Sequence, residues 1–111
     1  MALFEWFDTS ESDAFAKALA EDLGGRIPPD GARRGNITPD RAHNAHEAIM
    51  ARAGAFARTH KLTWYKKAHL GNTFRWILQE KGYDKEFVDT WTHNILVAVA
   101  GGKPVSERDK S

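Results

Sequence analysis

The chain has 111 residues, of which 41% are hydrophobic and 28% charged, with a formal net charge of +1 and no cysteine. That length bounds it to one domain, large enough to bury a core without covalent staples. The lack of cysteine excludes disulfides, thiolate metal sites and a cysteine nucleophile, and no apolar run approaches the ~20 residues that a membrane-spanning helix requires.

The net charge conceals an asymmetry. Residues 1–23 carry one basic against six acidic residues, residues 24–81 eleven basic against four acidic, and residues 82–111 four against five. A basic middle is suited to nucleic acid. The simpler reading is that an acidic first helix lies against it and neutralises it.

The first nine residues form an aromatic segment with Leu3, Phe4, Trp6 and Phe7. It turns acidic at Glu5 and has no basic stretch before its apolar residues, unlike a secretory signal. A cytoplasmic protein is expected, with this segment folding back over one end of the core.

The first helix is expected over 10–23. Asp8, Thr9 and Ser10 are all good N-cap residues, and Ser10 with Asp13 resembles a capping box. Phe15, Leu19 and Leu23 share one stripe, and Gly24-Gly25 should end the helix. Residues 26–37 read as a linker loop: Pro28-Pro29-Asp30-Gly31 is turn chemistry, and Arg26, Arg33 and Arg34 could meet an anion.

Thr38 followed by Pro39 is a strong start signal for a helix over 39–59. Its inner face should be Ala42, Ala45, Ile49, Ala53, Phe56 and Ala57, with His46 among them as a hydrogen-bonded core histidine. A helix over 63–81 follows, ending at Gly82. It has two stripes: Leu70, Phe74, Ile77 and Leu78 on one side, Tyr65, His69, Asn72 and Trp76 on the other. The last helix, 85–100, is capped by Asp84 and turns Phe87, Val88, Trp91, Ile95, Ala98 and Val99 inward. Its final run, ILVAVA, is apolar all round, and Leu96 and Val97 point away from the inner face. Unbroken helical periodicity favours helix over strand there. Residues 103–111 read as a disordered charged tail.

The expected fold is therefore all-α: one helical domain over 1–102, a small four-helix bundle or an orthogonal helical array. We recognise no family signature, no cofactor motif and no nucleophile elbow or phosphate-binding loop. Three functional readings remain. The first is a non-enzymatic interaction or oligomerisation module, meeting a protein partner or a second copy through Tyr65, His69, Trp76, Leu96 and Val97. Four short helices cannot easily hide both stripes of the third helix and all of ILVAVA. The second is single-stranded nucleic-acid binding through Arg58, Lys61, Lys66, Lys67 and Arg75, with Trp64, Tyr65 and Trp76 interleaved. The third is a metal held by Asp40, His43 and Glu47, which recur one helical turn apart but lack the further inward carboxylates of a di-iron bundle. Asp89 and His93 are a looser pair of the same kind.

Overall fold

The computed structural model describes residues 8–60 and 62–101, with Arg33 described in its backbone only. The expected roles of residues 1–7, of Lys61, of the Arg33 side chain and of the 103–111 tail lie outside the described residues. The described residues form five helices and no strand: α1 (Ser10–Arg26), α2 (Pro29–Arg34), α3 (Pro39–Thr59), α4 (Trp64–Lys81) and α5 (Lys85–Val99). The fold is all-α, and none of these helices is long and apolar enough to cross a membrane.

Three of the four long helices start where their caps dictate. Thr38 Oγ1 accepts from the Arg41 amide, Thr63 Oγ1 from the Lys66 amide and Asp84 from the Phe87 amide. Each bond satisfies one of the orphan amides of a first turn. α1 starts differently: Thr9 stands at the cap without capping the backbone, and Asp8 Oδ1 takes both the amide and the hydroxyl of Ser10, at 3.0 and 2.7 Å. These bonds hold the Asp8 carboxyl below the usual range.

Two expectations are corrected. α1 does not stop at Gly24-Gly25. It runs on to Arg26, and the Ile27 amide still bonds to the Leu23 carbonyl at 2.8 Å. The helix is broken by Pro28, which pushes the residue before it out of the helical region; Ile27 has φ −132 and ψ 84. Nor is 26–37 all loop. Pro29 opens the short helix α2 at a position where its missing N–H costs nothing, and Gly35 closes it with φ 69 in the left-handed region.

The long helices form a ring in which α1 packs on α4, α4 on α5, α5 on α3 and α3 on α1. Side-chain pairs give the directions. Asp13 meets His69 and Thr73 while Glu21 meets Lys81, so α1 and α4 run parallel. Phe15 stacks on Phe56 at 4.1 Å while Asp22 meets Arg52, so α1 and α3 run antiparallel. α4 and α5 are antiparallel, through Gly71 beside Leu96 and Arg75 beside Asp89. The core lies inside the ring: Ala16, Leu19 and Leu23 from α1, Ile49 from α3, Leu70, Phe74 and Leu78 from α4, and Val88, Ile95 and Val99 from α5.

Two details set how α4 and α5 meet. Gly82 takes φ 102, and its amide reaches the last carbonyls of α4, a left-handed ending that turns the chain sharply into α5. Tyr83, next in line, is only 5% exposed, and its hydroxyl donates to the Ile27 carbonyl just past α1. Burial pushes that phenol up to about 12 from its ordinary 10. Farther along, Gly71 lets α5 come close: a Cβ there would stand 2.7 Å from Leu96 Cδ2.

Two predictions follow from this packing. Gly71→Ala should destabilise the protein by about 1–2 kcal/mol, because overpacking against Leu96 outweighs the better helix propensity. In a Leu96→Ala background the same change should instead stabilise by roughly 1 kcal/mol, and chemical denaturation of the four variants measures the sign reversal. Tyr83→Phe should cost about 1–2 kcal/mol by orphaning the Ile27 carbonyl. The folded phenol holds its proton more tightly than the unfolded one. The wild type therefore keeps this contribution below pH 10 and loses it between about 10 and 12, a loss absent from Tyr83→Phe in denaturation at stepped pH.

Candidate functional site

Helix α4 presents one arc to the core and the opposite arc outward. At ~100° per residue, Leu70, Phe74 and Leu78 share the inner arc, while Tyr65, His69, Asn72 and Trp76 fall on the outer one. Trp76 is 61% exposed and Trp64, at the start of the helix, 71%. The two tryptophans are about 18 Å apart along the axis at 1.5 Å per residue, and Tyr65 and His69 lie between. Trp64 sits edge-on to Tyr65 with ring centroids 6.2 Å apart, and Tyr65 stacks on His69 at 6.1 Å and 10°.

His69 lies where this outer arc meets α1. Its Nδ1 stands 3.2 Å from Asp13 Oδ1, without the alignment of a hydrogen bond. Thr73 donates to that same oxygen at 3.1 Å and Thr9 to the other carboxylate oxygen at 3.2 Å. The hydroxyl of Thr73 thus serves Asp13 and not the imidazole. The cluster fastens α1 to α4, and it is not a nucleophile paired with a base.

The five residues expected at a partner surface fall in three places. Tyr65, His69 and Trp76 share the outer arc of α4. Leu96 lies in the α4–α5 seam over Gly71, packed against the core. Val97, 37% exposed, points the other way, into a hollow between α3 and α5 that His46, Met50, Asn94 and Ala98 also line. His46 itself is partly buried, its Nε2 3.5 Å from the Asn94 amide nitrogen and its ring 5.6 Å from Trp91.

The basic residues do not form one face. Arg58 is exposed near the end of α3, and Lys66 lies in a hollow beside Asp8 and Glu11. Lys66, Lys67 and Arg75 spread over about half the circumference of α4 at ~100° per residue. Arg75 is engaged with Asp89 at 3.1 Å, and Lys85 reaches the other oxygen of that carboxylate at 2.9 Å. The Lys85 hydrogen bond leads in holding the Asp89 carboxyl below its usual range, helped by the charge of Arg75.

Much of the remaining positive charge is met by α1. Asp22 binds Arg52 at 2.6 Å and Arg26 at 2.8 Å, and Glu21 lies 3.4 Å from Lys81. Burial alone would raise the Asp22 carboxyl, but the two guanidinium hydrogen bonds outweigh it and hold the group low. On the outer flank of α3, His43 Nε2 is 4.0 Å from Glu47 Oε2, with both side chains largely in solvent. Asp40 is exposed, and among the described residues no three acidic or imidazole side chains converge to hold a metal.

A feature not anticipated from the sequence is an open groove of about 520 Å³ along the α3–α5 seam, lined by Met50, Ala51, Gly54 and Ala57 with Ala98 and Gly101 opposite. Glu47 and Arg58 also line it, the Arg58 guanidinium reaching back over Gly54. The small residues Ala51, Gly54 and Ala57 were the available signal, since they read equally well as core or as a close external contact.

A double-mutant cycle tests the Asp13 cluster. Asp13→Ala and His69→Ala should couple by about 0.5–1 kcal/mol in denaturation, the value for a half-exposed pair, whereas strict additivity would show that the contact contributes nothing.

Comparison of the chain with protein-family models, with curated proteins and with solved structures finds no match.

Proposed function

We propose that this chain is a small non-enzymatic interaction module whose outer α4 arc takes up a protein partner. The observation that carries the reading is Trp76: a large aromatic, 61% exposed in mid-helix, opposite a fully buried Phe74. Tryptophan is enriched at the desolvated centres of interfaces, and an isolated monomer gains nothing by leaving it in water. Tyr65 extends the surface along the helix, and the Asp13 cluster sets its edge by pinning His69.

The nucleic-acid alternative is less well supported. It needs a continuous positive face, whereas Arg52, Lys81 and Arg75 are each engaged by a carboxylate and the lysines of α4 point in different directions.

Trp76→Ala should leave stability within about 1 kcal/mol of the wild type, as for a surface site. It should weaken partner binding by about 2 kcal/mol, as at an interface hot spot. Denaturation measures the first. Affinity capture from an extract of the source cell, with wild-type and variant baits in parallel, measures the second. A stability loss of 3 kcal/mol or more, the cost of a core aromatic, in a protein that captures the same species as wild type would overturn the reading.

A further inference from the structure

We infer that the α3–α5 groove is a self-complementary surface on which a second copy of this chain packs about a two-fold axis. The site is separate from the outer arc of α4 and does not rest on the reading above.

The inference starts from the register of α3. Glu47 and Arg58 are eleven residues apart, which is about 16 Å along the axis and only ~20° around it, so both lie on one line down the helix. Ala51 and Gly54 lie between them, within ~40° of that line. The midpoint between 47 and 58 is also the midpoint between 51 and 54. A two-fold axis through that point, perpendicular to α3, brings Glu47 of one copy to Arg58 of the other, twice, and sets Ala51 against Gly54. No like charges meet. The Arg58 guanidinium, which folds over Gly54 within the subunit, swings out to the partner's Glu47 and leaves the smallest residues at the crossing, so two helices can approach to the short end of the usual 8–10 Å range. An interface in which one patch meets itself in this way is the isologous geometry of two-fold dimers.

Three observations point to an occupant from outside the subunit. The first is Gly54. A glycine in mid-helix is unfavourable, yet the subunit does not need one here: an added Cβ would meet only the movable end of Arg58 at 3.3 Å and the Ala98 carbonyl at 3.9 Å. At Gly71, by contrast, the added atom collides with a packed leucine. The second is charge. Arg58 has no ion pair among the described residues, and Glu47 has only the distant His43, whereas Arg52, on the face of α3 toward α1, is bound at 2.6 Å. The third is the apolar rim. The partly exposed Met50 and the exposed Val97 border the groove and its adjoining hollow of about 250 Å³. A second copy is favoured over an unrelated helix because the stripe complements its own reversal, charge for charge.

Sedimentation of the full chain over a concentration series tests this. The wild type should form a dimer that weakens as salt rises. Glu47→Arg and Arg58→Glu should each raise the dimer dissociation constant by about tenfold or more, since each sets like charges opposite one another. The double variant carrying both exchanges should return to within about threefold of wild type. That rescue is expected only if the two residues face each other across the axis, because within one subunit they are too far apart to interact. Gly54→Leu should abolish the dimer while the circular dichroism stays helical, and Trp76→Ala should leave it intact. A wild type that is monomeric at every concentration reached, a dimer indifferent to both single reversals, a double variant no better than the singles, or a dimer lost in Trp76→Ala would each overturn the inference. The last of these would leave the α4 reading standing, and a groove dimer whose Trp76→Ala variant captures the same species from a cell extract as the wild type would do the reverse.

Discussion

Helices α3 and α4 follow one another in the chain but are not neighbours in the ring. They are held in one body by α1 on one side and α5 on the other, and the rest of the architecture depends on that constraint. α1 places Ala16, Leu19, Ala20 and Leu23 against them, all fully buried, and α5 places Val88, Ile95 and Val99. Burying a leucine of this kind contributes about 1.5–3 kcal/mol, comparable with any single polar tie in the molecule. The alanines matter for a different reason. With little side chain to accommodate, they let α1 sit close to two helices at once.

The polar contacts of α1 sharpen this placement. Asp13 reaches α4, Asp22 reaches α3, and Glu21 reaches the end of α4. Beyond the end of the helix, the Ile27 carbonyl receives the Tyr83 hydroxyl from the α4–α5 turn. The acidic first helix thus discharges much of the basic middle from the inside. What remains outward on α3 and α4 is a mixture of exposed aromatics, small residues and isolated charges. The proposed reading turns on that mixture, since contacts between proteins are decided by shape and a few charges and contacts with a polyanion by summed charge.

Much of this was legible in the sequence, and the reasons are local. The starts of α3, α4 and α5 were legible because Thr38, Thr63 and Asp84 bond to amides within three residues of themselves. The inner arc of α4 was legible because Leu70, Phe74 and Leu78 repeat at helical spacing. The end of α1 was misplaced because Gly24-Gly25 is a stop only when nothing packs beside it; here Lys81 and Tyr83 lie along Gly24, and Pro28 ends the helix instead. α2 is not legible, because six residues carry no periodicity. Leu96 reads as outward from its position in ILVAVA, and its burial depends on Gly71, twenty-five positions earlier on another helix. The Asp13 cluster and the α3–α5 groove were beyond reach for the same reason: each exists only because particular helices run side by side, and single-helix patterns do not encode neighbours.

The order of the ring also bears on how the chain matures. The ties between α1 and the rest span long stretches of sequence, 60 residues from Asp13 to Thr73 and 56 from Ile27 to Tyr83. The α4–α5 pair, by contrast, closes over a three-residue turn. Loops of that length make the docking of α1 a late, non-local event, while the hairpin can form as soon as it is made. On a ribosome adding 5–20 residues per second, α1 precedes its α4 partner by roughly 3–12 s. For the first part of that interval Leu19 and Leu23 have no partner helix, and after it only α3. Of the described helices, the one that closes the core is made before all its partners, and its apolar stripe is what a nascent-chain chaperone would meet.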